Sequence, residues 1–332
     1  MIDFELSPIS RRIVEELATV TAEEEVLVIS DPEKVSVGRA ITNAARSTGA
    51  NATLSIMPRL DAHGNEPPEP VAAAMKAADV AFTATTHAIT HTQSRLAASD
   101  AGTRVVVLRG VTEDMLIEGG MNTDYERLRE VTAATRDVLD AASEAHVTSP
   151  AGTDIDLNLE GSSAFSLDGY FHDYGFSALP GGESPTCPQK KPGTDGTVVI
   201  DYSMDNIGHL DEPIELTFEA GTLTDISGGS EADELQAIVD DAGKNAGNLA
   251  EFAIGTNPDA RLIGNLAEDK KKAGTVHFAI GDDTSLGGTL ESEIHFDGLV
   301  LDPTVELDGT VVLDEGTLDI EGILDLADEL RD

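Results

Sequence analysis

The hydrophobic pattern of this chain changes its period near residue 150, and this change constrains the fold more than any other feature. Before it, continuous apolar runs such as VLVIS (26–30), ATLSIMP (52–58) and RVVVLRG (104–110) alternate with helical patterns. Apolar strands separated by helices are typical of a parallel sheet that is covered on both faces. The first half therefore predicts an α/β domain with a mostly parallel sheet.

A long amphipathic helix is predicted over residues 123–146. Thr123 and Glu126 have the spacing of a capping box, and Leu128 and Val131 begin one apolar stripe. We expect this helix to close the first domain.

After residue 150 the apolar residues alternate with polar ones, as in residues 155–159 and 214–218. The segment VELDGTVVL (305–313) predicts a hairpin that turns at Asp308 and Gly309. One helix, from Ser230 to about Ala246, interrupts the strands. The second half therefore predicts a β-rich α+β domain that consists mostly of antiparallel strands.

The change of pattern also gives a predicted domain boundary, near residues 147–152. We expect an N-terminal α/β domain over residues 1–148 and a C-terminal, metal-binding catalytic domain over residues 149–332.

The chain is strongly acidic, with 21 Lys and Arg residues against 62 Asp and Glu residues and a net charge of −41. Such a surface repels nucleic acid and anionic membranes. At molar salt the Debye length falls to ~3 Å, so the self-repulsion is screened and the carboxylates serve hydration. The composition is typical of cytosolic proteins from halophiles that accumulate salt.

The cysteine content and the first residues indicate a cytoplasmic protein. Cys187 is the single cysteine, which excludes an internal disulfide and fits a reducing compartment. The start MIDFELSPISRRIVEEL lacks a signal pattern, and no apolar run approaches the ~20 residues of a membrane span. We expect neither a nucleic acid nor a membrane as a partner.

Two segments with the pattern of strands carry histidines. In SEIHFDG, His295 and Asp297 alternate with apolar residues, so that on a strand they share one face. In GTVHFAIG, His277 is the polar residue on one face of a second predicted strand. Imidazole and carboxylate ligands suit zinc, cobalt, manganese or ferrous iron. The pattern alone leaves open that the His–Asp pair is only a surface ion pair.

Two glutamates are further candidates for metal ligands. The motif ALPGGES places Glu183 in a Pro- and Gly-rich segment (180–196), which we expect to be a rigid loop. The motif NLAEFAIGTNP places Glu251 at a passage from helix to strand. In a chain with 62 acidic residues, each glutamate by itself is more often a solvated surface residue.

The order of these motifs resembles the metal-binding core of the aminopeptidase T family of metallopeptidases. Its members carry a Glu in a GGE segment, a Glu before GTN, a His before ALG and a closing HxD. The resemblance covers most of residues 147–316. It implies a homodimer that removes N-terminal amino acids from short peptides by means of a dinuclear metal-bound water. It also implies two zinc or cobalt ions, held by Glu183, Glu251, His277, His295 and Asp297.

One departure from this family pattern concerns catalysis. The family peptidases have a Tyr seven residues after the strand His, as a candidate for stabilising the tetrahedral intermediate, whereas this chain has Thr284. The shorter and less acidic hydroxyl is not an equivalent replacement. Glu183 and Thr284 are the candidate catalytic residues of the peptidase interpretation.

A second interpretation follows from a resemblance to 2,5-dihydroxypyridine dioxygenases, which share the fold and hold one ferrous ion. Two histidines and one carboxylate form a facial triad that leaves positions open for dioxygen and a chelating substrate. On this interpretation His277, His295 and Asp297 bind iron, and the glutamates are not ligands. His91, in THAITHTQSR, is then a candidate acid or base, unless it merely lines a helical turn.

Other functions have weaker support. A non-catalytic binding protein stabilised by metal is a third interpretation, although the five candidate ligands are all present. No GxGxxG or Walker motif follows the first strand, so the sequence does not predict a nucleotide site. We interpret Lys270, Lys271 and Lys272 as a solvated turn rather than as a site for a substrate carboxylate.

Overall fold

The computed structural model describes residues 6–90, 92–171, 176–190 and 193–331. The chain forms two compact units, and each unit combines two stretches of sequence. The first consists of Met1–Thr123 and Asp168–Gly181, and the second consists of Asp124–Leu167 and Gly182–Asp332.

The described strands and helices are as follows. The strands are β1 (Glu25–Ser30), β2 (Asn51–Ile56), β3 (Val80–Ala84), β4 (Arg104–Val107), β5 (Glu144–Thr148), β6 (Asp154–Asn158), β7 (Phe176–Ala178), β8 (Glu183–Thr186), β9 (Asp195–Ile200), β10 (Ser203–Met204), β11 (Gly208–His209), β12 (Ile214–Glu219), β13 (Thr222–Gly228), β14 (Leu249–Gly255), β15 (Val276–Gly281), β16 (His295–Val300), β17 (Thr304–Leu307), β18 (Thr310–Asp314) and β19 (Thr317–Leu318). The α-helices are α1 (Ser7–Arg12), α2 (Val35–Ser47), α3 (Glu69–Ala77), α4 (Gln93–Asp100), α5 (Glu113–Ile117), α6 (Tyr125–Ala141), α7 (Ser230–Ala242), α8 (Leu266–Asp269) and α9 (Ile320–Arg331). A π-helical turn (Ile13–Leu17) and three 3₁₀ turns (Pro32–Lys34, Gly120–Asn122 and Thr284–Leu286) complete the helical segments.

The first unit contains a parallel sheet in the order β2-β1-β3-β4-β7. Helices α2, α3 and α4 pack on this sheet, so the side chains of β3 and most of those of β1 and β4 are buried. Burial of both strand faces is the reason that these strands have continuous apolar sequences. The predicted α/β fold with a parallel sheet is confirmed.

The second unit contains two antiparallel sheets, in the orders β11-β10-β16-β15-β14-β8 and β13-β12-β9-β6-β5-β17-β18-β19. Alternate residues of both sheets, together with apolar residues of α6 and α9, form one buried core. The predicted hairpin is present between β17 and β18, with positive φ at both Asp308 and Gly309, as a two-residue turn requires. The predicted β-rich second half is confirmed.

Helix α6 is shorter than its predicted range. Its N-cap is Asp124 rather than Thr123, because the Asp124 carboxylate accepts hydrogen bonds from the backbone N–H groups of Glu126 and Arg127. The helix ends at Ala141 since β5 follows, paired with β6 and β17. This helix belongs to the second compact unit, so the division into units differs from the boundary at residue 148 that the sequence predicts.

Two further elements differ from their predicted form. Glu183 is the first residue of β8 rather than part of a loop, because β8 pairs with β14 in the six-stranded sheet. Helix α7 ends at Ala242, four residues earlier than expected, because Gly243 adopts a positive φ that a helix cannot continue. No helix within the described ranges is long and apolar enough to cross a membrane.

Candidate metal centre

Four neighbouring strands of the six-stranded sheet carry the five predicted ligands. In the order β16-β15-β14-β8, these strands supply first His295 and Asp297, then His277, then Glu251 and finally Glu183. The segments are far apart in sequence, and antiparallel pairing brings them together.

Strand register places the ligands on one face of the sheet with small residues between them. Asp297 and Glu251 both pair with Ala279, and His277 pairs with Ala253. A methyl group fills little of the sheet surface, so the larger side chains on either side can converge above it. The alternate residues Phe252 and Phe278 face the opposite way and belong to the core.

Glu251 joins two imidazole groups. Its Oε1 lies 3.1 Å from Nε2 of His277, and its Oε2 lies 3.1 Å from Nε2 of His295. His277 Nε2 is also 3.4 Å from Glu183 Oε2, and His295 Nε2 is 3.3 Å from Asp297 Oδ1. The centre therefore consists of two groups, each with one histidine and one further carboxylate, that share Glu251.

The orientation of His295 is fixed from outside the centre. Its Nδ1 donates a hydrogen bond of 2.6 Å to the carbonyl of Asp282, so Nε2 faces Glu251 and Asp297. A hydrogen bond from the outer ring nitrogen to a carbonyl is the usual support for a metal-binding histidine, since it fixes both the tautomer and the ring plane.

Two lysines of the predicted solvated turn contact the carboxylates of the centre. Lys270 Nζ lies 2.8 Å from Asp297 Oδ2 and 3.2 Å from Glu183 Oε2, and Lys271 forms an ion pair with Glu183 Oε1. The interpretation of residues 270–272 as a solvated turn is therefore wrong for the first two. Their rarity was the available signal, since lysines are few in this acidic chain and these directly precede the His277 strand.

Charge interactions dominate the ionisation of the centre. Burial alone would raise the pKa of Glu183 and of Asp297, but the lysines and histidines outweigh it and hold both pKa values below their usual range. Burial opposes protonation of His295, yet the hydrogen bonds and charges of Asp297 and Glu251 raise its pKa well above the usual value. Burial lowers the pKa of Lys271 to about 8, although Glu183 counteracts this effect.

The donor atoms fit a divalent cation. Glu251, His295 and Asp297 each offer one ligand atom, and these atoms lie within 4.8 Å of one another. Asp297 Oδ1 is buried, and its 3.3 Å contact with His295 Nε2 lacks full hydrogen-bond geometry, so a cation would complete the coordination of this atom. Because imidazole and carboxylate ligands suit zinc and the first-row transition metals, the residues support a metal site without fixing the metal.

Thr284, the other described residue that was predicted to be catalytic, is not part of this cluster. Thr284 is exposed, and its hydroxyl donates to Asp282 Oδ1 at 2.7 Å. His91 lies outside the described residues. Cys187 is buried, and burial raises the pKa of its thiol to about 11, which does not suit a thiolate nucleophile.

Two solved structures are similar to this chain over nearly its whole length. The 2,5-dihydroxypyridine dioxygenase from Pseudomonas putida has a TM-score of 0.81 and 21% identity, and the match covers 95% of this chain and 97% of that one. AmpT from Thermus thermophilus has a TM-score of 0.70 and 16% identity, with 96% and 100% covered. These values show a shared fold, and the expected resemblance to both proteins is confirmed at that level.

A comparison with models of protein families favours one of these two relatives. No curated protein matches this chain. A family model described as "NicX: 2,5-dihydroxypyridine 5,6-dioxygenase" matches residues 11–320. This match favours the dioxygenase interpretation over the peptidase interpretation that the sequence motifs favour. A match of this extent shows that the chain belongs to the NicX, 2,5-dihydroxypyridine 5,6-dioxygenase family.

Proposed function

We propose that this chain is a metal-dependent dioxygenase that opens a dihydroxylated, nitrogen-containing aromatic ring and uses one ferrous ion. The observation that carries the proposal is the cluster of Glu251, His295 and Asp297, in a chain whose family model is that of a dioxygenase. His277 contacts the same Glu251 carboxylate and adds the second imidazole of the two-histidine, one-carboxylate set.

The metal would be held by His295 and Asp297 together with the His277–Glu251 pair. A ferrous ion in such a set supplies reactivity towards dioxygen and open positions for a chelating hydroxyl group. The protein supplies the orientation of His295 through the Asp282 carbonyl and compensates the charge of Asp297 through Lys270.

His277 lies between two carboxylates of the centre. Its Nε2 lies between Glu251 Oε1 and Glu183 Oε2, at 3.1 and 3.4 Å. A nitrogen that binds a metal carries no proton, so Nε2 of His277 would be unprotonated when His277 acts as the second imidazole ligand.

Oxygen uptake tests the proposal. Protein loaded with Fe²⁺ without air is mixed with 2,5-dihydroxypyridine in an oxygen electrode, and we expect substrate-dependent oxygen consumption. The Asp297→Asn variant should lose it, whereas Asp211→Asn, which changes an exposed carboxylate outside the cluster, should keep most of it. Absence of uptake from the iron-loaded protein with this and related dihydroxypyridines would contradict the proposal.

A second candidate function is the removal of N-terminal amino acids from short peptides by a homodimer with two metal ions. The specific observation in its favour is that Glu251 lies between two groups, each with a histidine and a carboxylate, as a shared ligand of two cations would. This function requires two zinc or cobalt ions per chain and hydrolysis of leucine anilide without oxygen. Glu183→Gln should then abolish hydrolysis.

A further inference from the structure

We propose that Lys270 and Lys271 take the place of a second divalent cation and limit the centre to one metal ion. This inference rests on the proposed mononuclear function, and it assigns a role to two residues that the ligand set does not include. It concerns how many metal ions the five donors accept.

The lysines occupy the part of the centre that a second ion would need. Lys271 contacts Oε1 of Glu183 and Lys270 contacts Oε2, so an ammonium group faces each oxygen of this carboxylate. Lys270 also reaches Asp297 Oδ2, which leaves Oδ1 facing His295. Glu251, His295 and Asp297 remain as the group open to one cation.

The formal charges support the same stoichiometry. The cluster contains three carboxylates, Glu183, Glu251 and Asp297, and the two ammonium groups bring the charge of one divalent ion. One metal ion would leave a single positive charge in the cluster, whereas a second would leave three. A buried excess of positive charge is unfavourable because the site is shielded from water.

The backbone holds the lysines in these positions. Lys271 is only 3% exposed, and the Lys270 side chain is 13% exposed. The carbonyl of Lys271 accepts a hydrogen bond from Asn257 N, and its own N–H donates to the carbonyl of Glu268 in α8. The segment is therefore anchored on both sides, and the ammonium groups cannot leave Glu183 without leaving that carboxylate uncompensated.

Lys272 offers a matched control. It is half-buried next to Lys271, but the structure records no ion pair between its side chain and the cluster among the described residues. Removing its charge changes the composition in the same way as removing the charge of Lys270. Only Lys270 should change the metal content.

The test is the metal stoichiometry of the whole 332-residue chain. Each variant is stripped with chelator and titrated with Co²⁺, which is followed by its visible absorbance, and bound metal is counted by mass spectrometry. We expect saturation at one Co²⁺ per chain for the wild type and for Lys272→Met, and at two for Lys270→Met. Lys270→Arg, which keeps the positive charge, should remain at one.

Either of two results would overturn the inference. The first is a wild-type protein that takes up two ions, and this result needs no variant to fold. The second is a folded Lys270→Met protein, shown by circular dichroism, that still saturates at one ion. Failure of the proposed dioxygenase function is distinguishable, since it appears as missing oxygen uptake whatever the number of ions bound.

Discussion

Lys271 is a buried cation whose main partner is the equally buried Glu183. We predict that Lys271→Met lowers the free energy of unfolding by about 3 kcal/mol, since it removes the buried cation that faces Oε1 of the buried Glu183 carboxylate. Urea unfolding at neutral pH measures the change. Lys272→Met, whose side chain forms no ion pair with a residue that the structure describes, should change stability by less than about 0.5 kcal/mol. Equal effects of the two substitutions would contradict this account.

Asp201 gives a pH dependence that is independent of the metal centre. Its carboxylate accepts a hydrogen bond from Leu301 N, and burial raises its pKa from 3.8 to about 6 in spite of that bond. The folded state therefore binds the proton more tightly than the unfolded state. The contribution of Asp201 to stability is largest below about pH 4 and is lost as the pH rises to about 6.

The Asp201→Asn variant should remove this loss. We expect it to be more stable than the wild type at pH 7 and to differ less from it at pH 4.5, as measured by urea unfolding at both values. Asp211→Asn, at an exposed carboxylate, serves as the control. If the stability difference between Asp201→Asn and the wild type does not grow with pH, burial does not raise the pKa of this carboxylate.

The sequence predicts the metal ligands of the centre better than it predicts the role of the two lysines. His277, His295 and Asp297 stand out because alternation with apolar residues places them on one strand face, a property of a few adjacent residues. Lys271 depends on Glu183 of a distant strand, and its position depends on the hydrogen bond from Asn257. Charge alone cannot distinguish such a buried pair from a solvated turn, because long-range pairing decides it.

At the scale of elements, the junction between β15 and β16 positions His295. Gly281, at the end of β15, pairs with His295 and has a φ of 111°. A Cβ at this position would overlap the carbonyl of Ile294. Glycine is therefore required at position 281, both by the positive φ and by the close approach of the Ile294 backbone.

We predict that Gly281→Ala lowers the free energy of unfolding by about 3 kcal/mol and weakens metal binding, because β16 must move away from β15. Gly287→Ala is the control, since Gly287 also has a positive φ, 85°, but open space where a Cβ would lie. It should cost only about 1 to 2 kcal/mol. Denaturant unfolding and Co²⁺ titration measure both properties, and equal losses would show that backbone strain alone is responsible.

Element ends were less predictable than element types. The apolar stripe of α6 continues to Ala142 in sequence, and only the pairing of β5 with β6 and β17 ends the helix at Ala141. Likewise, Pro and Gly residues around Glu183 are typical of a loop, yet residues Glu183–Thr186 form a strand because they pair with the edge of β14. In both cases the partner strand lies far away in sequence, so local propensity carries no information about it.

At the scale of the whole molecule, the net charge of −41 governs the response to salt. The Debye length falls from ~10 Å at 0.1 M salt to ~3 Å at 1 M. Repulsion among the carboxylates opposes the compact state, so screening it favours folding. The ion pairs of the metal centre are shielded from this effect, because Glu183, Lys271 and Asp297 are buried.

We therefore predict that the unfolding temperature rises steeply between 0.1 and 2 M NaCl. If screening raises the free energy of unfolding by about 3 kcal/mol, the midpoint temperature of unfolding should rise by roughly 6 to 12 °C for a domain of this size. Differential scanning calorimetry measures the shift. Sucrose is the control, since it stabilises by exclusion from the protein surface but does not screen charge. An equal rise in sucrose at matched water activity would attribute the effect to solvent exclusion, whereas a rise specific to NaCl identifies carboxylate repulsion as the force that salt removes.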